Sequence, residues 1–180
     1  MSTLRVISWN VHALPLLRGK RQRLGRIAAE IARRRPDVVL LQEVWMPRDR
    51  AALSAALQPI GYVPVDDGAV ASRRRGGLLT LIAAGGGWSP RRSRFVPFTC
   101  AAPLWRVWEG DALGGKGAEI VDLQHPRAWR IVNTHLQSQY RGRAYADVRR
   151  AQVAQLAGVV ADEVDTPTVV CGDFNTDADD

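Results

Sequence analysis

The chain has 180 residues, of which 46% are hydrophobic and 24% are charged, as in an ordinary globular domain. No apolar run approaches the length of a membrane span. We expect no secretory leader, because the N-terminal residues lead directly into the first predicted strand. The two cysteines, Cys100 and Cys171, form neither a disulfide framework nor a metal-binding spacing. These features predict one cytoplasmic domain over residues 1–180, without indicating its oligomeric state.

The net charge is +7 at neutral pH, and most of the positive charge comes from arginine. A basic surface concentrates polyanions such as nucleic acid or anionic lipid. A compositional bias towards alanine and arginine is the simpler explanation, because the chain has no long basic tail and no periodic basic face. Charge alone therefore does not select a partner.

Hydrophobic periodicity predicts strands and helices in alternation. Strands are predicted at residues 4–11, 38–41, 62–65, 78–83, 94–99, 118–123, 128–134 and 169–171. Helices are predicted at residues 21–35, 48–57 and 145–164. Ala56 and Val148 are expected on the apolar faces of the second and third helices, and Cys171 in a buried last strand. The mixture of strands and helices predicts a layered α/β sandwich.

Four of the predicted strands end in polar side chains: Asn10, Glu43, His135, and then Asp173 with Asn175. If these strands are neighbours in one sheet system, the polar groups converge at its edge. Carboxylates and carboxamides form an oxygen-rich ligand set that suits Mg²⁺ or Mn²⁺, whereas zinc favours histidine and cysteine. A histidine beside such a metal can donate to a phosphate oxygen or move a proton.

Four segments resemble, in order, the signature motifs of the endonuclease/exonuclease/phosphatase family. They are Ser-Trp-Asn-Val (8–11), Leu-Leu-Gln-Glu-Val (40–44), Asn-Thr-His-Leu (133–136) and Gly-Asp-Phe-Asn (172–175). This Mg²⁺-dependent superfamily includes DNase I-like nucleases, apurinic-site endonucleases, inositol polyphosphate phosphatases and neutral sphingomyelinases. The resemblance implies a DNase I-like, four-layered α/β/β/α sandwich with two packed mixed sheets flanked by helices. It also implies a phosphodiester substrate, either nucleic acid or a phospholipid head group.

The resemblance implies a role for each residue. Glu43 would be the main ligand of Mg²⁺, or of Mn²⁺, and Asn10 would help to hold the metal. Asp173 would orient or activate the attacking water, and Asn175 would hydrogen-bond that water or the phosphate. His135 would bind a non-bridging phosphate oxygen and stabilise the charged transition state.

A second group of residues resembles the neutral sphingomyelinase branch. Asp111 and Lys116, five residues apart, would lie near the active site, and Tyr140 and Trp45 also fit that branch. Arg141 follows closely behind the catalytic strand and is a candidate for phosphate contacts. We therefore predict that Lys116, Asp111, Tyr140 and Arg141 bind substrate. The first two residues are equally compatible with a charged loop around two glycines.

One family feature is missing, since members carry an Asp-His pair well beyond the Gly-Asp-Phe-Asn motif. No histidine follows His135 in this sequence, while His12 and His125 are expected in loops without a catalytic role. We expect that the sequence is a truncated piece, with a sandwich incomplete at the C-terminus. The alternative is a non-catalytic remnant that binds phosphate and metal.

Overall fold

The computed structural model describes residues 3–65, 76–102, 115–125, 127–139, 145–161 and 166–176. Within these ranges the strands are β1 (Val6–Asn10), β2 (Val38–Gln42), β3 (Tyr62–Pro64), β4 (Leu79–Ala83), β5 (Ser89–Pro97), β6 (Gly117–His125), β7 (Arg127–His135) and β8 (Thr168–Asp173). The α-helices are α1 (Lys20–Arg34), α2 (Pro47–Leu57) and α3 (Ala146–Ala161), and short 3₁₀ helices occur at Gln58–Ile60 and Ala84–Gly86. The predicted elements are therefore all present, with shifted ends.

The strands form two mixed sheets. The first has the order β1-β2-β4-β3, with β1 and β2 parallel and the other neighbours antiparallel. The second has the order β5-β6-β7-β8, in which β7 and β8 are parallel and the rest antiparallel. Both parallel pairs run towards the same kind of polar ending, Asn10 beside Gln42 and His135 beside Asp173.

The two sheets pack face to face and carry helices on their outer faces. Leu40 and Ile82 of the first sheet share a buried cluster with Val121 and Ile131 of the second. The outer face of the first sheet packs against the apolar faces of α1 and α2. Leu156 of α3 belongs to a cluster on the outer face of the second sheet. This order of layers confirms the predicted α/β/β/α sandwich with two mixed sheets.

Strand β2 is buried along its whole length, and its apolar residues alternate between the two clusters. Val38 and Leu40 face the other sheet, whereas Val39 and Leu41 face the helices. A strand covered on both faces takes apolar side chains, or polar ones that are hydrogen-bonded inside the core. This explains why the apolar run continues to Leu41, why the polar Gln42 that follows is hydrogen-bonded to the second sheet, and why the first charged side chain, Glu43, comes directly after the strand.

Three expectations about burial were wrong. Ala56 is exposed, because it lines the open groove beside α1 instead of packing into the core. Helix α2 buries Asp49 as well as two leucines, and Asp49 is paired with Lys20 at 2.7 Å. Helix α3 buries Arg149, Gln152 and Leu156 rather than Val148. Cys171 is only partly buried, because β8 lies at the edge of the sheet formed by the described strands.

A polar network joins the two sheets at the end of the sandwich where β2 and β7 end and β4 and β6 begin. Gln42 Nε2 donates to Asn133 Oδ1 at 2.8 Å, and Asn133 Nδ2 donates to Thr80 Oγ1 at 3.3 Å. The Thr80 hydroxyl in turn donates to a carboxylate oxygen of Glu119 at 2.5 Å. All four side chains are at most 2% exposed. We call Gln42, Asn133, Thr80 and Glu119 the inter-sheet network; it fixes how the strand ends face one another.

None of the described helices is both long and apolar enough to cross a bilayer.

Candidate active site

The polar residues that end β1, β2, β7 and β8 meet at one end of the sandwich. Asn10 Nδ2 donates to Glu43 Oε1 at 2.9 Å and to Asp173 Oδ2 at 2.7 Å. Asn10 and Glu43 come from the first sheet, whereas Asp173 comes from the second. These polar groups were predicted to converge if their strands were neighbours in one sheet system. In the structure they converge from two facing sheets. One amide group thus holds two carboxylates side by side.

Glu43, His135 and Asp173 form a cluster of potential metal ligands. One donor atom from each residue lies within 4.8 Å of the other two. His135 Nε2 is 3.9 Å from Asp173 Oδ2, and the histidine side chain is only 2% exposed. Within the described part of the chain, the buried Glu43 Oε2 makes no hydrogen bond, and its neighbour is His12 Nδ1 at 3.3 Å.

These donors fit a divalent cation. A buried carboxylate oxygen without a hydrogen bond is costly unless a cation or another donor satisfies it. Two carboxylates and nearby amide oxygens are the hard ligands that Mg²⁺ and Mn²⁺ take, usually together with water. The Asn10 amide nitrogen faces both carboxylates, while its oxygen accepts the His12 backbone N–H at 2.9 Å. Asn10 therefore orients the carboxylates in this structure.

The environment of Asp173 favours its ionised form. Burial opposes ionisation of the carboxyl group. This effect is outweighed by hydrogen bonds from the Asn10 side chain and the Asn175 backbone, together with the nearby His135 and Lys116. The pKa of Asp173 consequently lies below its ordinary value of 3.8. A carboxylate that is fully ionised at neutral pH can accept a hydrogen bond from a water molecule.

Backbone geometry in the site is unusual for side chains with a Cβ. His12, Glu43 and Asn175 have φ angles of 48°, 62° and 50°, in the left-handed region. Such conformations cost energy and are concentrated at functional sites. Gly172 has φ 154°, and a Cβ there would lie 2.0 Å from the Thr134 carbonyl oxygen. This close approach explains why glycine precedes Asp173.

The carbonyl of Leu136 joins two of the predicted residues. It accepts Lys116 Nζ at 2.8 Å and Asn175 Nδ2 at 2.9 Å. Lys116 is 4% exposed, and its ammonium group is therefore buried next to Leu136, the residue that follows β7. The structure therefore places Lys116 and Asn175 beside the cluster. The other predicted substrate-binding residues, Asp111, Tyr140 and Arg141, lie outside the described residues.

Two residues at the site were not predicted to act there. His12 was expected to be an uninvolved loop residue, yet it contacts Glu43 because the chain turns sharply after β1. The Trp45 ring centroid lies 6.3 Å from that of His135. Each follows a predicted site residue, Asn10 or Glu43, by two positions. This proximity in sequence could have found His12, whereas Trp45 was already singled out as a match to the sphingomyelinase branch. His125, which was expected in a loop, instead ends β6 and stacks on Trp88, with 4.5 Å between the ring centroids.

Comparison with known families adds a decisive observation. The model of the Endonuclease/Exonuclease/phosphatase family matches residues 7–180, nearly the whole chain. The chain belongs to the endonuclease/exonuclease/phosphatase family. This membership confirms the predicted family. A search among curated proteins by sequence found no significant match.

Solved structures show the same DNase I-like fold. Sphingomyelinase C from Streptomyces griseocarneus superposes with a TM-score of 0.76 at 24% identity, covering 100% of this chain and 67% of that one. Beta toxin from Staphylococcus aureus superposes with a TM-score of 0.77 at 18% identity, covering 98% of this chain and 67% of that one. TDP2 from C. elegans superposes with a TM-score of 0.71 at 20% identity, covering 98% of this chain and 49% of that one. The chain thus spans about half to two thirds of these proteins.

Proposed function

We propose that the chain supplies the catalytic centre of a Mg²⁺-dependent phosphodiester hydrolase. The observation that carries the proposal is the cluster of Glu43, His135 and Asp173, whose donor atoms lie within 4.8 Å of one another. Three strand ends from two sheets are needed to assemble it. Structural roles alone do not explain a buried Glu43 oxygen without a hydrogen bond within the described residues.

In this proposal Glu43 is the main metal ligand, and Asn10 fixes its orientation. When bound, Mg²⁺ would offset the negative charge that develops on the phosphate and lower the pKa of a coordinated water. Mn²⁺ has similar ligand preferences and is the alternative ion. Asn10 also holds Asp173 at 2.7 Å, so the two carboxylates keep their spacing without relying on the metal alone.

The chain's other residues would act on water and on phosphate. Ionised Asp173 accepts a hydrogen bond from the attacking water and then its proton. The water oxygen forms a new bond to phosphorus and one P–O ester bond breaks. The leaving alkoxide takes up one proton, so that overall the proton that Asp173 accepted is passed on and an alcohol is released. The products are a phosphomonoester and that alcohol. His135, beside Asp173, would donate to a non-bridging oxygen and stabilise its charge in the transition state.

The substrate is a separate step of the proposal. A phospholipid head group and a nucleic acid both contain the phosphodiester that this centre would cleave. One observation favours the lipid: sphingomyelinase C is among the similar structures, and it is similar over the whole of this chain. Lys116, predicted from the resemblance to that branch, donates a hydrogen bond to the Leu136 carbonyl just after β7, which supports this choice. We therefore propose a sphingomyelinase-like phospholipid phosphodiesterase as the more specific candidate.

The test combines metal binding with hydrolysis. Mg²⁺ binding is measured by calorimetry, and hydrolysis is assayed on plasmid DNA, an abasic duplex and sphingomyelin vesicles. Glu43→Gln should lose both metal binding and hydrolysis. The matched control is Glu30→Gln, because Glu30 lies on the surface of α1 and pairs with Arg33. Metal-dependent hydrolysis that survives Glu43→Gln would overturn the proposal.

The same assays separate the alternatives. Cleavage of sphingomyelin without cleavage of either DNA selects the lipid substrate, and the reverse selects a nuclease. Metal binding that depends on Glu43 without any hydrolysis would identify a phosphate- and metal-binding remnant and contradict the proposed catalysis.

A further inference from the structure

A turn directly after the active-site strand β1 carries an unusually exposed leucine. The sequence of residues 14–17 is Leu-Pro-Leu-Leu, and we call this segment the apolar turn. Leu16 is 96% exposed and Leu14 is 39% exposed, and Leu16 is the most exposed large hydrophobic side chain among the described residues. Turn tips normally carry glycine, asparagine, aspartate or serine, so an aliphatic tip is not explained by turn chemistry.

The apolar turn is held in place by specific contacts. The Leu17 backbone N–H donates to the Leu14 carbonyl at 3.2 Å, and Pro15 occupies the turn position that its fixed φ favours. At the root, Ala13 is fully buried, and Arg23 Nη1 donates to the His12 carbonyl at 2.7 Å. These contacts present Leu16 to solvent in a defined position, so that no large rearrangement is needed for it to meet a partner.

Basic side chains surround the apolar turn. Arg18 and Arg21 are exposed at the start of α1, and the Arg48 side chain on α2 is 70% exposed. A cavity of about 690 Å³ lies between the turn and the two helices and is lined by residues of all three elements. Its charged interior is balanced, because Lys20 pairs with Asp49 at 2.7 Å. The excess positive charge therefore lies on the rim, beside Leu16.

We propose that the apolar turn and its three arginines dock onto an anionic phospholipid bilayer. An aliphatic tip can enter the boundary of the acyl chains while arginines contact anionic head groups. A nucleic acid is less suitable as the partner, because single-stranded bases are bound by aromatic stacking and this turn has only aliphatic side chains. Only three residues separate Asn10 from Leu14, so docking would bring the candidate active site to the head-group layer.

Binding is tested without catalysis. The chain is sedimented with vesicles of phosphatidylcholine alone or of phosphatidylcholine with phosphatidylserine, in the presence of a chelator that removes divalent metal. We expect sedimentation with the anionic vesicles and little with the neutral ones. Because metal is removed, the result does not depend on hydrolysis, and a failure here is distinguishable from a failure of the proposed function.

Variants of the tip should shift the binding in opposite directions. Leu16→Ser should weaken partitioning about tenfold, since it removes the apolar contact. Leu16→Trp should strengthen it, because tryptophan favours the membrane interface. The control is Val153→Ser on α3, which is 43% exposed and distant in sequence from the turn, and it should bind like the unchanged chain.

Charge variants complete the test. Arg18→Gln with Arg21→Gln should abolish the preference for anionic vesicles, whereas Arg91→Gln with Arg92→Gln on β5 should leave it in place. Unfolding curves confirm that each variant is folded. No sedimentation with either vesicle, or equal binding by Leu16→Ser, would overturn the proposal. Complete competition by a DNA duplex together with an inert Leu16 would instead identify a general polyanion surface.

Discussion

The inter-sheet network and the candidate active site are built from neighbouring residues, yet they differ in how their polar groups are satisfied. On β2 and just after it, Gln42 belongs to the network and Glu43 to the site. On β7, Asn133 belongs to the network and His135 to the site. The network side chains are at most 2% exposed and hydrogen-bond one another in a continuous chain. In the site, Glu43 has a left-handed backbone and a buried oxygen without a hydrogen bond within the described residues.

This difference separates structural from chemical roles inside a single motif. A buried polar group that is fully hydrogen-bonded contributes to a unique arrangement of the sheets. A strained residue with an unsatisfied oxygen is maintained at a cost in stability, which indicates selection for another purpose. Changes in the site should therefore reduce activity at little cost in stability, and changes in the network should do the opposite.

The largest effect is expected from Asp173→Asn. The variant keeps the shape of the side chain but removes the charge that would accept a proton, so kcat should fall on the order of 10³-fold. The melting temperature near neutral pH should fall only slightly, by the small stabilisation that ionised Asp173 supplies. Asp147→Asn, on the exposed face of α3, is the control for loss of one carboxylate. A variant with normal kcat would remove Asp173 from the proposed chemistry.

Gly172→Ala should damage both regions, because it displaces β7, which carries Asn133 of the network and His135 of the site, from β8, which carries Asp173. The added Cβ would lie 2.0 Å from the Thr134 carbonyl oxygen, at a φ of 154° that alanine rarely adopts. We expect a loss of about 3 kcal/mol in the free energy of unfolding, measured by denaturant titration. At Gly158 on α3 nothing lies within 4 Å of an added Cβ, so Gly158→Ala should stabilise the helix slightly. Equal changes in the unfolding free energy of Gly172→Ala and Gly158→Ala would contradict the close approach of Gly172 to the Thr134 carbonyl.

Asn133→Ala should affect stability and spare catalysis. It removes the acceptor of Gln42 Nε2 and a donor to Thr80, leaving buried groups with fewer partners. The expected cost is about 2 kcal/mol of unfolding free energy. The protein that remains folded should keep kcat within a small factor of the unchanged chain, in a hydrolysis assay corrected for the folded fraction. A large loss of kcat with unchanged stability would place Asn133 in the site.

The sequence predicted the elements well because their apolar patterns are strong: a helical period in α1 and a continuous apolar run in β2. It also predicted which side chains gather, since each one ends a strand. The division between sheets could not be predicted, because pairing of β7 with β8 depends on contacts between residues far apart in sequence. His12 was missed for a similar reason: its contact with Glu43 depends on left-handed backbone conformations at both residues, which non-glycine sequence does not indicate.

The smallest expected effect is the pH dependence of the unfolding free energy. It measures how strongly the neighbouring groups stabilise the ionised Asp173 carboxylate. Because hydrogen bonds and nearby positive charge lower its pKa in the folded chain, ionised Asp173 stabilises the fold above the unfolded-state value of about 3.8. This contribution should be lost as pH falls through the lower folded-state pKa. Unfolding curves of the unchanged chain and of Asp173→Asn, recorded with a chelator, should therefore converge as the solution is acidified. Parallel curves across that range would mean that the carboxylate is not stabilised by Asn10 and Asn175, and the contrast with the inter-sheet network would then rest on Glu43 alone.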